Sequence, residues 1–321
     1  MILHYNNIVM APNINYNNPY KTRIGGCTCT IFVPYDCNNH CPFCVNKKEY
    51  LDTTGFSVSK IIESIKILNT LTPNCDVVFT GGEPLANLSS LQKMIDEVPK
   101  THKIYINTTF PVQPNISEDE VLSFINTNKE KITCINISRH MHPYVEESPD
   151  DLVINIPTKK RINCVLYKNY NGDDKLYDFA RRWGKHKIPI QFRFDYTDTT
   201  PENLYEEKND PILQDLKRHF TYIGLDGCRM RNGFHFKYYL EEEKIWERMT
   251  YHKTLPYSTI EEKDKDDGIT YNILYDILIK QNGDFHSDWD NTPLDIEKYK
   301  KVKFEPYDLK FIFKDEKEWV D

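Results

Sequence analysis

DCNNHCPFCVNKK, residues 36–48, places Cys37, Cys41 and Cys44 in a C-x3-C-x2-C pattern with no fourth cysteine close by. A disulfide clasp or a structural zinc site closes an even set of ligands, so the open fourth position is what has to be explained. Thiolates hold iron–sulfur clusters, and four of them fill a [4Fe–4S] cube. Three leave one iron without a protein ligand, as a catalytic zinc keeps one position open. A Cys3His zinc knuckle recruiting His40, a non-catalytic binding module, is a second reading of the same stretch. Three unrelated core cysteines are a third.

The chain around this stretch has 321 residues, enough for one large or two modest domains with a substantial core. Hydrophobic residues make up 39% and charged residues 28%, the balance of a soluble globular protein. With 41 basic against 48 acidic residues the net charge is −7, a poor generic grip on a phosphate backbone, which argues against nucleic acid as a partner. No run approaches the roughly 18 apolar residues of a membrane span, so no membrane is expected. MILHYNNIVMAPNINYNNPY (1–20) lacks the basic start and apolar run of a secretory signal. Nine cysteines without an export signal point to a reducing cytoplasm, where thiols serve metals or chemistry.

Apolar runs alternate with amphipathic ones on the C-terminal side of the cysteines. Strands are expected at 29–35, 75–80, 102–109, 132–138, 161–167 and 188–196, with helices at 57–71, 88–98, 117–126, 174–184 and 201–220. Ile61, Ile62, Ile65 and Leu68 mark the buried face of the first helix, and Ser117 with Glu120 forms a capping box for the third. This alternation indicates an α/β fold with a parallel sheet, more in keeping with a partial (β/α)6 TIM-like barrel than with an open doubly wound sheet. Beyond about residue 225, GFHFKYYL, KIWERMTYH, GITYNILYDILI and LKFIF read as an antiparallel β-rich C-terminal extension. The domain reading is a lead-in at 1–26, the barrel at 27–225, and an extension at 226–321 closing its mouth.

A second motif bears on the cysteines. DVVFTGGEPL (76–85) puts two glycines and a carboxylate directly after a buried strand. Gly81 and Gly82 let the backbone approach a ligand, and Glu83 offers charge to a cationic group. With this pair in hand, the chain resembles the radical S-adenosylmethionine superfamily over roughly residues 28–225. Cys37, Cys41 and Cys44, with Phe43 before the last cysteine, match its cluster loop. Thr80-Gly81-Gly82-Glu83-Pro84 matches the segment that holds the methionine amino group.

The resemblance implies a [4Fe–4S] cluster and S-adenosyl-L-methionine as cofactors, with oxygen-sensitive radical chemistry. It implies reductive cleavage to a 5′-deoxyadenosyl radical that takes hydrogen from substrate. Asn107, Ser138 and Asn163 sit where such a fold supplies polar contacts to the cofactor, although each can also satisfy a strand end. A flavodoxin- or ferredoxin-type electron donor is implied as partner. Cys75, Cys134, Cys164 and Cys228 are spaced singly, unlike the cysteine-rich auxiliary-cluster regions of peptide-modifying members.

For the substrate, a small molecule or short peptide, GLDGCRMRNGFHFK (224–237) supplies the candidates Cys228, Arg229 and Arg231. The arginines suit a carboxylate or phosphate. Cys228 suits hydrogen donation to a substrate radical, as in a radical epimerase, and equally a buried structural thiol. Arg139 and His140, after the fourth strand, and Arg193 and Asp195, at the end of the sixth, are further candidates. NGDFHSDWDN (282–291) begins with a hairpin turn at Asn282-Gly283.

Overall fold

The computed structural model describes residues 27–33, 37, 39, 41–45, 54–71, 75–110, 116–141, 147–167, 175–228, 231–255, 259–263, 270–274, 276–287, 293–295 and 312–313. In chain order the first elements are β1 (Cys27–Val33), α1 (Val58–Leu71), β2 (Cys75–Gly81), α2 (Leu88–Asp96), β3 (Lys103–Thr108), α3 (Glu118–Asn128), β4 (Ile132–Ser138) and α4 (Asp150–Ile154). Then come β5 (Lys160–Leu166), α5 (Lys175–Gly184), β6 (Ile190–Phe194), α6 (Pro211–His219), β7 (Thr221–Cys228), β8 (Arg231–Leu240) and β9 (Ile245–Thr254). Five short strands close the order: β10 (Thr259–Lys263), β11 (Thr270–Leu274), β12 (Asp276–Ile279), β13 (Phe285–His286) and β14 (Ile312–Phe313).

The chain divides into two compact units, one built on Pro19–Arg161 with Pro256–Tyr307, the other on Ile162–Leu255. In the first unit the strand order is β13-β12-β1-β2-β3-β4, parallel throughout except for the β12–β13 pair. Ile31, Phe32 and Val33 of β1 are all buried, as a strand covered on both faces requires. On α1, Ile61, Ile65 and Leu68 are fully buried, one face of a helix at a 3.6-residue period. Ser117 and Glu120 close both arms of the capping box at the start of α3.

The second unit runs β5-β6-β9-β8-β7-β14, with β5, β6 and β9 parallel and β9, β8, β7 and β14 antiparallel. One face carries Ile162, Cys164, Ile190, Phe192, Met249, Tyr251, Phe234 and Phe236, all buried, with the Phe179 ring of α5 5.8 Å from Phe192.

The C-terminal strands depart from the antiparallel expectation at two points: β9 pairs parallel with β6, and β12 with β1. GITYNILYDILI forms two strands, and the second, β12, pairs parallel with β1. Its Ile277, Leu278 and Ile279 are buried, so the run is apolar on both faces and suits a parallel interior position. The hairpin turn expected at Asn282-Gly283 is present between β12 and β13, with Gly283 at φ +85. Among the described residues, no helix is long and apolar enough to cross a membrane.

Candidate functional site

β1, β2, β3 and β4 are parallel, so their C-terminal ends lie at one edge of the sheet, where open α/β sheets place ligands. The cysteine loop follows β1, Gly81-Gly82-Glu83 follows β2, Asn107-Thr108-Thr109 ends β3, and Ser138-Arg139-His140 ends β4.

Gly81 answers to packing between strands. It pairs with Val33 at the end of β1, and its φ is +132. A Cβ there would stand 2.0 Å from the Val33 carbonyl oxygen, so a side chain is excluded. Gly82 then donates its N–H to that same oxygen at 3.0 Å. The two glycines therefore bring the β2 exit against the root of the cysteine loop.

Glu83 is fully buried, and both carboxylate oxygens are engaged. Oε1 accepts the Leu85 N–H at 3.0 Å, which caps the 3-10 turn Pro84–Ala86, and the Thr108 hydroxyl at 2.6 Å. Oε2 accepts the Thr109 N–H and the Thr109 hydroxyl, each at 2.9 Å. Burial raises the carboxyl above its ordinary range, and these donors oppose that rise. Thr108 and Thr109 can both point at Glu83 because the chain turns sharply at buried Phe110, which holds φ +46. That conformation costs a non-glycine residue about 1–2 kcal/mol.

Cys37, Cys41 and Cys44 form no disulfide and are partly buried, and the Cys44 N–H donates to the Cys41 carbonyl at 3.0 Å in a tight turn. Burial pushes the Cys37 thiol up to about 11, with the charges of Glu83 and Cys44 adding to the rise. Burial likewise pushes Cys41 up to about 12, helped by Cys44 and Cys37. The three sulfurs thus lie close enough to repel one another as thiolates. Even so, among the described residues no group of three His, Cys, Asp or Glu side chains forms a ready-made metal site. Like charges have no reason to converge without a cation, and a cationic metal group is what would offset both burial and repulsion. The donor set therefore fits a soft, thiolate-bound cluster.

The β4 end supports this loop. The His140 ring packs on Phe43 with centroids 4.6 Å apart. Arg139 is fully buried and donates to the Thr109 carbonyl at 2.7 Å, the Ser138 carbonyl at 2.9 Å and the Ser148 hydroxyl at 2.5 Å. Its guanidinium thus clamps the ends of β3 and β4 together. Asn107 accepts from Asn136, its register partner on β4, at 2.8 Å. Lys280, directly after β12, is buried with its ammonium 5.2 Å over the Phe32 ring of β1.

The remaining candidates lie in the second unit. Register places Asn163, Gln191, Thr250 and His235 in one row across β5, β6, β9 and β8, with Arg193, His252 and Gly233 in the next row on the same face. Asn163 is buried, and its side-chain oxygen has no hydrogen-bond partner among the described residues. Such an orphan acceptor is what a ligand donor would satisfy. Asp195 is buried, and Arg231 is paired in register with Cys228, whose side chain lies outside the described residues. Arg229 and His40 also lie outside them. A cavity of about 610 Å³ along Glu207, Lys217, His219 and Tyr222 holds none of the candidate residues.

Thr108 and Thr109 went unnoticed in the sequence, although two hydroxyls ending the apolar run IYINTT are a local sign. Gln191, Thr250, His235 and His252 carry no such sign, because only strand register assembles their row.

Residues 25–129 match the family described as a 4Fe-4S single cluster domain, a stretch that includes the cysteine loop, Glu83 and both threonines. Among curated proteins, none matches. Among solved structures, the chain is similar to native anSMEcpe with bound AdoMet and Cp18Cys peptide, at 21% identity and a TM-score of 0.41, over 58% of this chain and 54% of that one. It is also similar to Streptococcus suis SuiB bound to precursor peptide SuiA, at 18% identity and a TM-score of 0.41, over 60% of this chain and 44% of that one. The chain spans about half the length of the solved structures it matches.

Proposed function

We propose that this chain is a radical S-adenosylmethionine enzyme, with a [4Fe–4S] cluster and S-adenosylmethionine as its cofactors, acting on a small molecule or short peptide; the match of residues 25–129 to a 4Fe-4S single cluster domain supports the reading. Such an enzyme would use reductive cleavage of S-adenosylmethionine to take a hydrogen atom from the substrate, leading to rearrangement or cyclisation. The observation that carries the reading is buried Glu83 after β2 beside the cysteine loop after β1, at the C-terminal edge of one parallel sheet, near enough to Cys37 for its charge to raise that thiol.

In this reading Cys37, Cys41 and Cys44 hold the cluster as thiolates. When bound, such a cluster would supply the electron for that cleavage. Gly81 and Gly82 keep the β2 exit bare of side chains beside the cysteine loop. Glu83, oriented by Thr108, Thr109 and Leu85, accepts the cofactor's ammonium group. The partial-barrel reading accords with the parallel strands and would keep water from a reactive radical. Arg193 and Arg231 are proposed to bind an anionic group of the substrate. A flavodoxin- or ferredoxin-type protein is proposed as the electron donor.

The test is anaerobic. The protein is loaded with iron and sulfide, reduced and given S-adenosylmethionine, and 5′-deoxyadenosine is quantified by mass spectrometry. Formation in the wild type and its loss in Cys41→Ala are expected. Stable uptake of zinc with refusal of a cluster would overturn the reading in favour of a non-catalytic zinc module.

A further inference from the structure

The sheet of the second unit has two unlike faces. One is apolar and buried, with Ile162, Ile190, Phe192, Met249 and Phe234. The other carries the row Asn163, Gln191, Thr250 and His235, and two residues further along it Arg193 beside His252. Two residues the other way, the register pair Arg248 and Lys237 adds two more cations. Among the described side chains of β5, β6, β8 and β9, this face has no Asp or Glu in register. A cationic face on a chain of net charge −7 departs from its composition, and it suits an anionic ligand.

The amide row defines what else that ligand carries. Asn163 and Gln191 are 7% and 6% exposed and stand in register on neighbouring parallel strands. The Asn163 Oδ1 has no hydrogen-bond partner among the described residues. A buried acceptor without a donor is costly, and a ligand N–H removes that cost. A side-chain amide offers an acceptor and two donors, the complement of the N–H and C=O of a peptide bond. Successive rows lie about 6.6 Å apart, which is also the spacing of same-side residues in an extended peptide. Arg193 and His252, adjacent in register and partly exposed, both carry N–H donors that suit a carboxylate.

Resting on the reading above, we propose that this face is the substrate subsite and that the substrate is an acidic peptide. Asn163 and Gln191 hold one of its backbone amides, and Arg193 with His252 holds an Asp or Glu side chain one row away. A contact between Asn163 and the cofactor alone would leave Gln191, His252 and the cations of β8 and β9 without a role.

The experiment uses cluster-loaded protein with S-adenosylmethionine and three pools of random, acetylated and amidated hexapeptides, identical except for Glu, Gln or Lys fixed at the third position. Equilibrium dialysis with mass spectrometry reads the bound fraction of each pool. The wild type is expected to favour the Glu pool over the Gln pool by about tenfold. Arg193→Gln should remove that preference. Arg193→Glu should turn it towards the Lys pool, a reversal that damage to the fold cannot produce. Asn163→Leu should lower retention of the Glu and Gln pools alike, by about fivefold, and leave their ratio in place. If Asn163→Leu does not fold, Asn163→Ala takes its place. Equal binding of the three pools by the wild type overturns the inference. So does an Asn163 variant that loses S-adenosylmethionine affinity in calorimetry yet retains the Glu pool as the wild type does. Failure of the wild type to load a cluster overturns the underlying reading instead, and dialysis of the unloaded protein still reads the Glu preference, which separates the two failures.

Discussion

Gly81 shows how one residue can serve chemistry and packing together. Its φ of +132 and the 2.0 Å approach of a would-be Cβ to the Val33 oxygen leave no room for alanine. Gly81→Ala is therefore expected to destabilise the first unit by about 2–3 kcal/mol or more, read as a fall in denaturation midpoint. The sequence placed Gly81 beside a ligand on the strength of its motif, and the structure adds a cause independent of any ligand. Glu83 was legible in the same way, since a carboxylate after a strand and two glycines is a local pattern. Three of its four donors were not, because Thr108 and Thr109 come from the next strand over.

At the scale of elements, periodicity located β1 to β4 and α1 to α3 within a few residues, while the single turn of α4 at Asp150–Ile154 was not expected. Alternation and apolar runs report burial directly, and the capping box at Ser117 reports a helix start. Partner choice was less legible. β12 was expected in an antiparallel extension, yet it extends the parallel sheet beside β1. His102 illustrates a link between elements with a measurable pH signature. Its Nδ1 accepts the Cys75 N–H at 3.1 Å at the start of β2, and its Nε2 lies 2.8 Å from the Asn69 side-chain oxygen on α1. The neutral ring with Nε2–H satisfies both contacts, and burial lowers its proton affinity. The unfolded chain then binds the proton more readily, so stability is complete above the unfolded value of about 6.5 and falls as pH drops below it. The denaturation midpoint should fall between about pH 7 and pH 5.5, and His102→Gln should flatten that slope.

At the scale of the molecule, each unit has its own core, and the second is organised around a buried charge. Lys253 pairs with Asp210 at 2.6 Å, the two being 2% and 4% exposed, and donates to the carbonyls of Asn203 and Glu206. Asp210 also caps α6 and accepts the Tyr251 hydroxyl. Lys253→Met should cost about 3–5 kcal/mol by stranding the carboxylate, and adding Asp210→Asn should recover part of that loss in equilibrium denaturation. By itself the sequence determined the C-x3-C-x2-C spacing of Cys37, Cys41 and Cys44, the Gly-Gly-Glu turn and the alternating α/β plan. These are relations between residues close along the chain, written in spacing and periodicity. The tertiary structure alone decided that Thr108 and Thr109 converge on Glu83, that β12 lies against β1, and that Asn163, Gln191, Thr250 and His235 share a row. Strand neighbours and register are set by packing between segments far apart in the chain, which no local pattern encodes.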